Sequence, residues 1–89
     1  MFKMWGKVFK NNKMLEDYTF ECSWDDERNR TKKVFDGLEE ICKVFDLSVP
    51  AWFDNNISEF KRIDKTRFYA DNFIDGIDFD YLEIHVIEE

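Results

Sequence analysis

The stretch Thr31–Asp46, Thr-Lys-Lys-Val-Phe-Asp-Gly-Leu-Glu-Glu-Ile-Cys-Lys-Val-Phe-Asp, decides the fold. At 3.6 residues per turn, Val34, Phe35, Leu38, Ile41, Cys42 and Phe45 fall within an arc of roughly 120°. Lys32, Asp36, Glu39, Glu40, Lys43 and Asp46 take the opposite side. The spacing predicts an amphipathic helix over about 28–46 whose apolar stripe needs a sheet to cover. Gly37, beside the stripe, costs up to about 1 kcal/mol in a helix interior; it either admits a close neighbour or is merely tolerated. Pro50 disfavours α geometry at Val49 and ends the helix near Asp46-Leu47. Upstream, Ser23 with Asp26 three residues later forms an imperfect capping pattern. Asp25, Asp26 and Glu27 suit the positive end of the helix dipole.

Two strands precede this helix, about 2–9 and 14–22, around Asn11-Asn12, whose side chains tolerate positive φ. A plain two-residue turn would pair Lys10 with Lys13 and set Gly6 against Asp17. A three-residue loop with a bulge shifts parity by one. It lines up Phe2, Met4, Val8, Met14, Tyr18, Phe20 and Cys22 on one face and is the expected register. Trp5, Phe9 and Leu15 are left on the outer face.

After the long helix, Pro50–Phe53 reads as a turn and Asp54 as the N-cap of a short helix over about 55–62, with Ile57 and Phe60 inward. Phe68-Tyr69-Ala70 reads as a brief extended segment. A third strand covers about 79–88, with Leu82, Ile84 and Val86 on one face and Tyr81, Glu83 and His85 on the other. The expected fold class is α+β, in the order β-β-α-α-β: a three-stranded, mostly antiparallel sheet with one long and one short helix on one face. Charge favours pairing the last strand with the first. Residues 1–13 hold four lysines and no acid, whereas residues 71–89 hold seven acids and no Lys or Arg.

Eighty-nine residues suffice for one domain, 1–89, and ten Phe, three Trp and three Tyr supply its core. Thirteen basic against twenty acidic residues give a net charge of −7, which repels a phosphate backbone and argues against nucleic-acid binding. The acidic balance reads as solubility, or more sharply as mimicry of DNA. Cys22 and Cys42, twenty residues apart with no CxxC, read as buried thiols in a reducing compartment. The N-terminus alternates Lys with apolar residues, and no apolar run approaches the roughly 20 residues of a membrane span. A cytoplasmic protein is expected.

The candidate chemistry is thin. In Asp71–Asp80, Asp75 and Gly76 fit positions 5 and 6 of a calcium loop, but Phe73, Phe79 and Leu82 occupy ligand positions 3, 9 and 12. The stretch reads as an acidic turn, and no metal is expected. His85 is the sole histidine; Cys22, Ser23, Cys42, Ser48 and Ser58 lack the context of an activated nucleophile. No Gly-rich nucleotide loop or zinc spacing occurs, so no cofactor and no small-molecule substrate are expected. Lys61, Arg62, Lys65 and Arg67, interleaved with Phe60, Phe68 and Tyr69, form a basic candidate patch of the kind that binds single strands. Trp5, Phe9 and Leu15, with Trp52, form a candidate protein-interaction patch unless residues 50–69 fold over them.

Met4-Trp5-Gly6-Lys7, Asp46-Leu47-Ser48-Val49-Pro50, Glu59-Phe60-Lys61-Arg62, Arg67-Phe68, Asp71-Asn72-Phe73-Ile74 and Ile77–Ile84 carry a resemblance over the whole length. The chain resembles a family of small bacterial proteins with no assigned activity. The resemblance implies a free-standing small protein and brings no catalytic or binding residue with it. The expected function is a non-enzymatic, cytoplasmic protein-interaction domain that binds a protein partner or a second copy of itself. The alternative is a nucleic-acid-related role through Lys61, Arg62, Lys65 and Arg67 or through acidic mimicry.

Overall fold

Asn11 and Asn12 adopt φ of 53° and 64°, the left-handed pair that closes a tight hairpin between β1 (Phe2–Lys10) and β2 (Lys13–Cys22). In a computed structural model covering Met1–Glu89, Lys10 does sit opposite Lys13. The two-residue turn that like charge argued against is the one adopted, because both side chains reach water at the hairpin tip, where repulsion is weak. The expected bulge exists but lies inside the hairpin. Val8 faces Glu16 and Phe9 faces Met14, so Leu15 is the extra residue. Beyond it the register has the expected parity: Gly6 opposite Tyr18, Met4 opposite Phe20, Phe2 opposite Cys22. Met14, placed with the core by sequence, instead joins Phe9 on the outer face and is exposed.

The remaining order is α1 (Arg30–Val44), α2 (Asp54–Ile63), β3 (Lys65–Phe68), a 3-10 turn at Ala70–Asn72 and β4 (Tyr81–Glu88). The sheet has four strands in the order β2-β1-β4-β3, all antiparallel. The last strand pairs with the first as charge suggested: Lys7 meets Glu83 at 2.7 Å and Lys3 meets Glu88 at 3.4 Å. The three-stranded expectation is corrected by β3. Its four residues give only Thr66 and Phe68 on the buried side, too short an alternation to outweigh the basic reading of Lys65 and Arg67.

Capping differs from expectation. Asn29, not Ser23, caps α1, its side chain accepting from the Lys32 amide at 2.8 Å. Ser23 bonds Asp25 instead, and Arg28 joins Asp26 to Asp36. Asp54 lies within α2. The helix starts from Phe53, whose N–H donates to Asn56 Oδ1 at 3.0 Å. Asp46 (φ 57°) and Asp64 (φ 59°) end the two helices in the left-handed region that Asp tolerates.

Both helices cover one face. Val34, Leu38, Ile41, Cys42 and Phe45 pack on Phe2, Met4, Val8, Phe20, Leu82, Ile84 and Val86. Phe35 and Ile57, expected inward, remain half exposed at the groove between α1 and α2. Under α2 lies a buried polar knot. Asn56 Nδ2 donates to Thr66 Oγ1 and the Arg67 carbonyl, both at 2.9 Å. Its Oδ1 accepts from Asn72 Nδ2 at 3.0 Å, and Asn72 Nδ2 also reaches the Ala51 carbonyl at 2.7 Å. Every polar atom of Asn56 is thereby used.

Two glycines set the height of α1 above the sheet. A Cβ on Gly6 would lie 2.6 Å from Ile41 Cγ2, and one on Gly37 would lie 2.7 Å from Phe20 Cδ2 and 2.8 Å from Met4 Cε. Gly37 is therefore a close-approach glycine. Gly6→Ala is expected to lower the unfolding free energy by about 1–3 kcal/mol, since branched Ile41 has little room to yield. Gly37→Ala must displace the Phe20 ring as well as the mobile Met4 terminus, but it loses less because alanine restores about 1 kcal/mol of helix propensity. Urea denaturation of the two variants checks the order; a larger loss at Gly37 would refute this packing account.

Candidate functional site

With both helices on one side, the other face of the sheet is open, and strand alternation dictates what it shows. Beside an end row of Glu21, Lys3 and Glu88 on β2, β1 and β4, the pairings set three further rows on this face. One runs Thr19, Trp5, His85, Lys65; the next runs Asp17, Lys7, Glu83, Arg67. The third runs Met14, Phe9, Tyr81, with Tyr69 just past the end of β3.

The middle row alternates in charge and centres on Glu83, 4% exposed although it faces outward. Lys7 Nζ and Arg67 Nε reach its two oxygens at 2.7 and 3.0 Å. Burial raises the Glu83 carboxyl, but those two cations outweigh it and hold the group below the usual glutamate range. Aromatic rings wall the row. Trp5 Nε1 donates to Asp17 Oδ2 at 2.8 Å, and Lys7 Nζ lies 4.0 Å from the Trp5 ring centre. Arg67 lies 4.5 Å over Tyr81, which stacks on Phe9 at 5.2 Å and tilts against Tyr69 at 5.5 Å. The lysine and arginine stems thus cover apolar surface while their charges stay paired. Burial, with Lys65 and Lys7 nearby, depresses His85 and keeps its imidazole neutral at pH 7.

Of the interaction residues named from sequence, Trp5 and Phe9 lie on this face, partly exposed, and Leu15 stands 56% exposed at its bulge. Trp52 does not join them. Pro50 is buried and the Ala51 N–H is bonded to the Asn72 carbonyl at 2.8 Å, which turns Trp52 to the helix side. There it packs edge-on to Phe35, Phe60 and Phe68 at 5.8, 5.5 and 5.1 Å. Residues 50–69 therefore do not cover the outer face; they supply α2 behind the sheet and β3 at its edge.

The basic cluster divides. Lys61 and Arg62 end α2, Lys61 lining the apolar groove with Phe35 and Trp52. Lys65 and Arg67 belong to the outer face and border a polar cavity of about 350 Å³ with Asn55, Glu59, Tyr69 and Glu83. Tyr69, Tyr81, Lys7 and Glu83 were not singled out as one site by sequence. The alternation of β4 was the available signal, but the partner strand β3 was missing. In the acidic stretch, Asn72 is spent inside the polar knot, Asp80 Oδ2 accepts the Asn11 amide at 2.8 Å, and Gly76 takes φ 73°. No group of three or more His, Cys, Asp or Glu gathers where it could hold a metal ion. Burial pushes the Cys42 thiol up to about 12 and raises Cys22 as well.

Glu83→Gln tests the centre of the face. The folded carboxyl titrates below the unfolded value of about 4.3, so its contribution is complete above that pH and lost as pH falls through the folded value. At pH 7 the variant is expected to be less stable by ~2–3 kcal/mol, since it leaves Lys7 and Arg67 without their anion. The difference should narrow below pH 4. Urea midpoints measured at pH 7 and pH 3 check this, and an undiminished gap at pH 3 would contradict the pairing.

No protein-family model matches this chain, and no curated protein and no solved structure matches it either, so its functional reading rests on this open face.

Proposed function

We propose that the protein is a cytoplasmic, non-enzymatic interaction domain that binds a protein through the outer face of its sheet. One observation supports the reading: both helices pack on the same side, leaving Trp5, Phe9 and Tyr81 partly exposed and Tyr69 exposed beside an alternating row of charge. Aromatic rings with arginine at the centre of a flat surface are what protein interfaces favour. Two unpaired, buried cysteines support a reducing compartment, and no helix is long and apolar enough to cross a membrane.

The nucleic-acid reading has less support. Only Lys65 and Arg67 of the four cations share the aromatic face, and Arg67 is already bonded to Glu83. Mimicry of DNA by the acidic tail is weakened because Asp80, Glu83, Glu88 and Glu89 are engaged by Asn11, Lys7, Lys3 and Arg30.

A photo-reactive phenylalanine at position 9, expressed in cells, tests the reading. Protein adducts should form from position 9 on the outer face and not from exposed Val44 on α1. Equal yields from both positions, or none from position 9, would remove the sheet face from consideration.

A further inference from the structure

The open face repeats its own complement. Read from β2 to β3, the central row is Asp17, Lys7, Glu83, Arg67, negative and positive in alternation. We infer that this face binds a second copy of the chain, face to face, about a twofold axis lying between the copies, parallel to the strands and midway between β1 and β4. The inference rests on the sheet-face reading above and names its partner.

A twofold interface uses one patch twice, so the patch must complement itself. With the axis along the strands, β2 of one copy lies over β3 of the second, and β1 over β4. Asp17 then faces Arg67 of the second copy, twice, and both side chains are exposed in the single copy. Lys7 and Glu83, largely buried and paired within each copy, lie beneath these contacts opposite residues of the other sign, and no like charges meet. In the flanking rows Trp5 lies over His85, and Phe9 over Tyr81, of the second copy. The other face-to-face twofold, with its axis across the strands, superposes each strand on itself. It sets Asp17 on Asp17 and Arg67 on Arg67, so the two exposed charges of the row each meet their like. Charge order alone thus selects one of the two symmetric arrangements. Aligned sheets pack with a rotation of about 30°, which leaves the central residues facing one another.

The size of the face fixes the expected strength. Four strands at about 4.8 Å spacing and seven or eight residues at about 3.4 Å give roughly 500 Å² per copy. A standard interface buries about 800 Å² per partner. The dimer is therefore a reversible one, formed at micromolar concentrations or above, and weakened by salt.

Sedimentation equilibrium of the whole chain from micromolar to millimolar concentration, at low salt, is the test. The wild type should show a reversible monomer–dimer equilibrium. Asp17→Arg and Arg67→Asp should each weaken dimerisation at least tenfold, since each creates two like-charge contacts. Mixed one to one, the variants should form a heterodimer, because both altered contacts are again of opposite sign. Arg67→Asp loses its bond to Glu83, so near-ultraviolet circular dichroism must first show that it folds. If it does not, Thr19→Glu supplies the second arm: it faces Lys65 of the second copy and should tighten the dimer several-fold. A chain that stays monomeric at millimolar concentration overturns the inference. So does an Asp17→Arg variant that dimerises like the wild type. A monomer that binds a fifteen-residue oligothymidylate overturns it too and assigns the face to nucleic acid. Cross-links from position 9 to a different protein, with the chain monomeric, would overturn only the second copy as partner and leave the interaction reading standing.

Discussion

The contact on which the molecule depends is the close seating of α1 on the first hairpin. Gly6 in the sheet and Gly37 in the helix remove the two Cβ atoms that would otherwise hold the layers apart. Leu38, Ile41 and Cys42 can then sink until none is exposed, and α1 rests on Met4 and Phe20 rather than above them. Cores are packed as densely as organic crystals, so the height of one helix propagates to every neighbour. With α1 at that depth, α2 has room on the same side, over β3. The consequence is a two-layer molecule with every helix on one side.

A second constraint acts at the edge. A four-residue strand is a poor element alone, and β3 is held mainly by what surrounds it. Asn56 grips it from behind through Thr66 and the Arg67 carbonyl, and the Asp64 carbonyl accepts the Val86 amide at 2.9 Å. The same asparagine begins α2 and holds Asn72, so one fully satisfied side chain fixes a helix start, an edge strand and a loop. The bond to the Arg67 carbonyl also occupies an acceptor on the free side of β3, which blunts that edge against further pairing. The opposite edge, β2, runs ten residues and is protected by different means: a bulge at Leu15 and the charges of Lys13, Glu16, Asp17 and Glu21.

Periodicity made most of the layer plan legible. The α1 stripe, the alternation of β4 and the parity of the first hairpin are each dictated by nearby residues, and the lysine-rich start and acidic end pointed to the β1–β4 pairing. What escaped depended on distant partners. Whether Asn56 is a surface polar residue or the hub of a knot is decided by Thr66 and Asn72, not by its neighbours in sequence. Without the knot, Lys65–Phe68 reads as a charged segment and the sheet loses a strand. Trp52 was misplaced for the same reason, since its direction is set by a hydrogen bond from Ala51 to Asn72. Trp5 and Phe9 could be named because the hairpin register alone places them, whereas Glu83 acquired meaning only when Lys7 and Arg67 arrived from two other strands.

The order β2-β1-β4-β3 places the earliest and the latest strands side by side at the centre of the sheet. Met4 pairs with Val86, so the middle of the molecule closes over almost the whole chain. Long-range closure of this kind slows folding relative to local pairing. During synthesis the β1–β2 hairpin is made before β4, so one side of β1 stays unpaired until β4 emerges. Once α1 has followed the hairpin it can shield the hairpin's apolar side, because its contacts at Gly6 and Gly37 use only residues made before it or within it. The nascent chain thus carries its own temporary cover, and the last strand to emerge meets a half-built core instead of a bare ribbon.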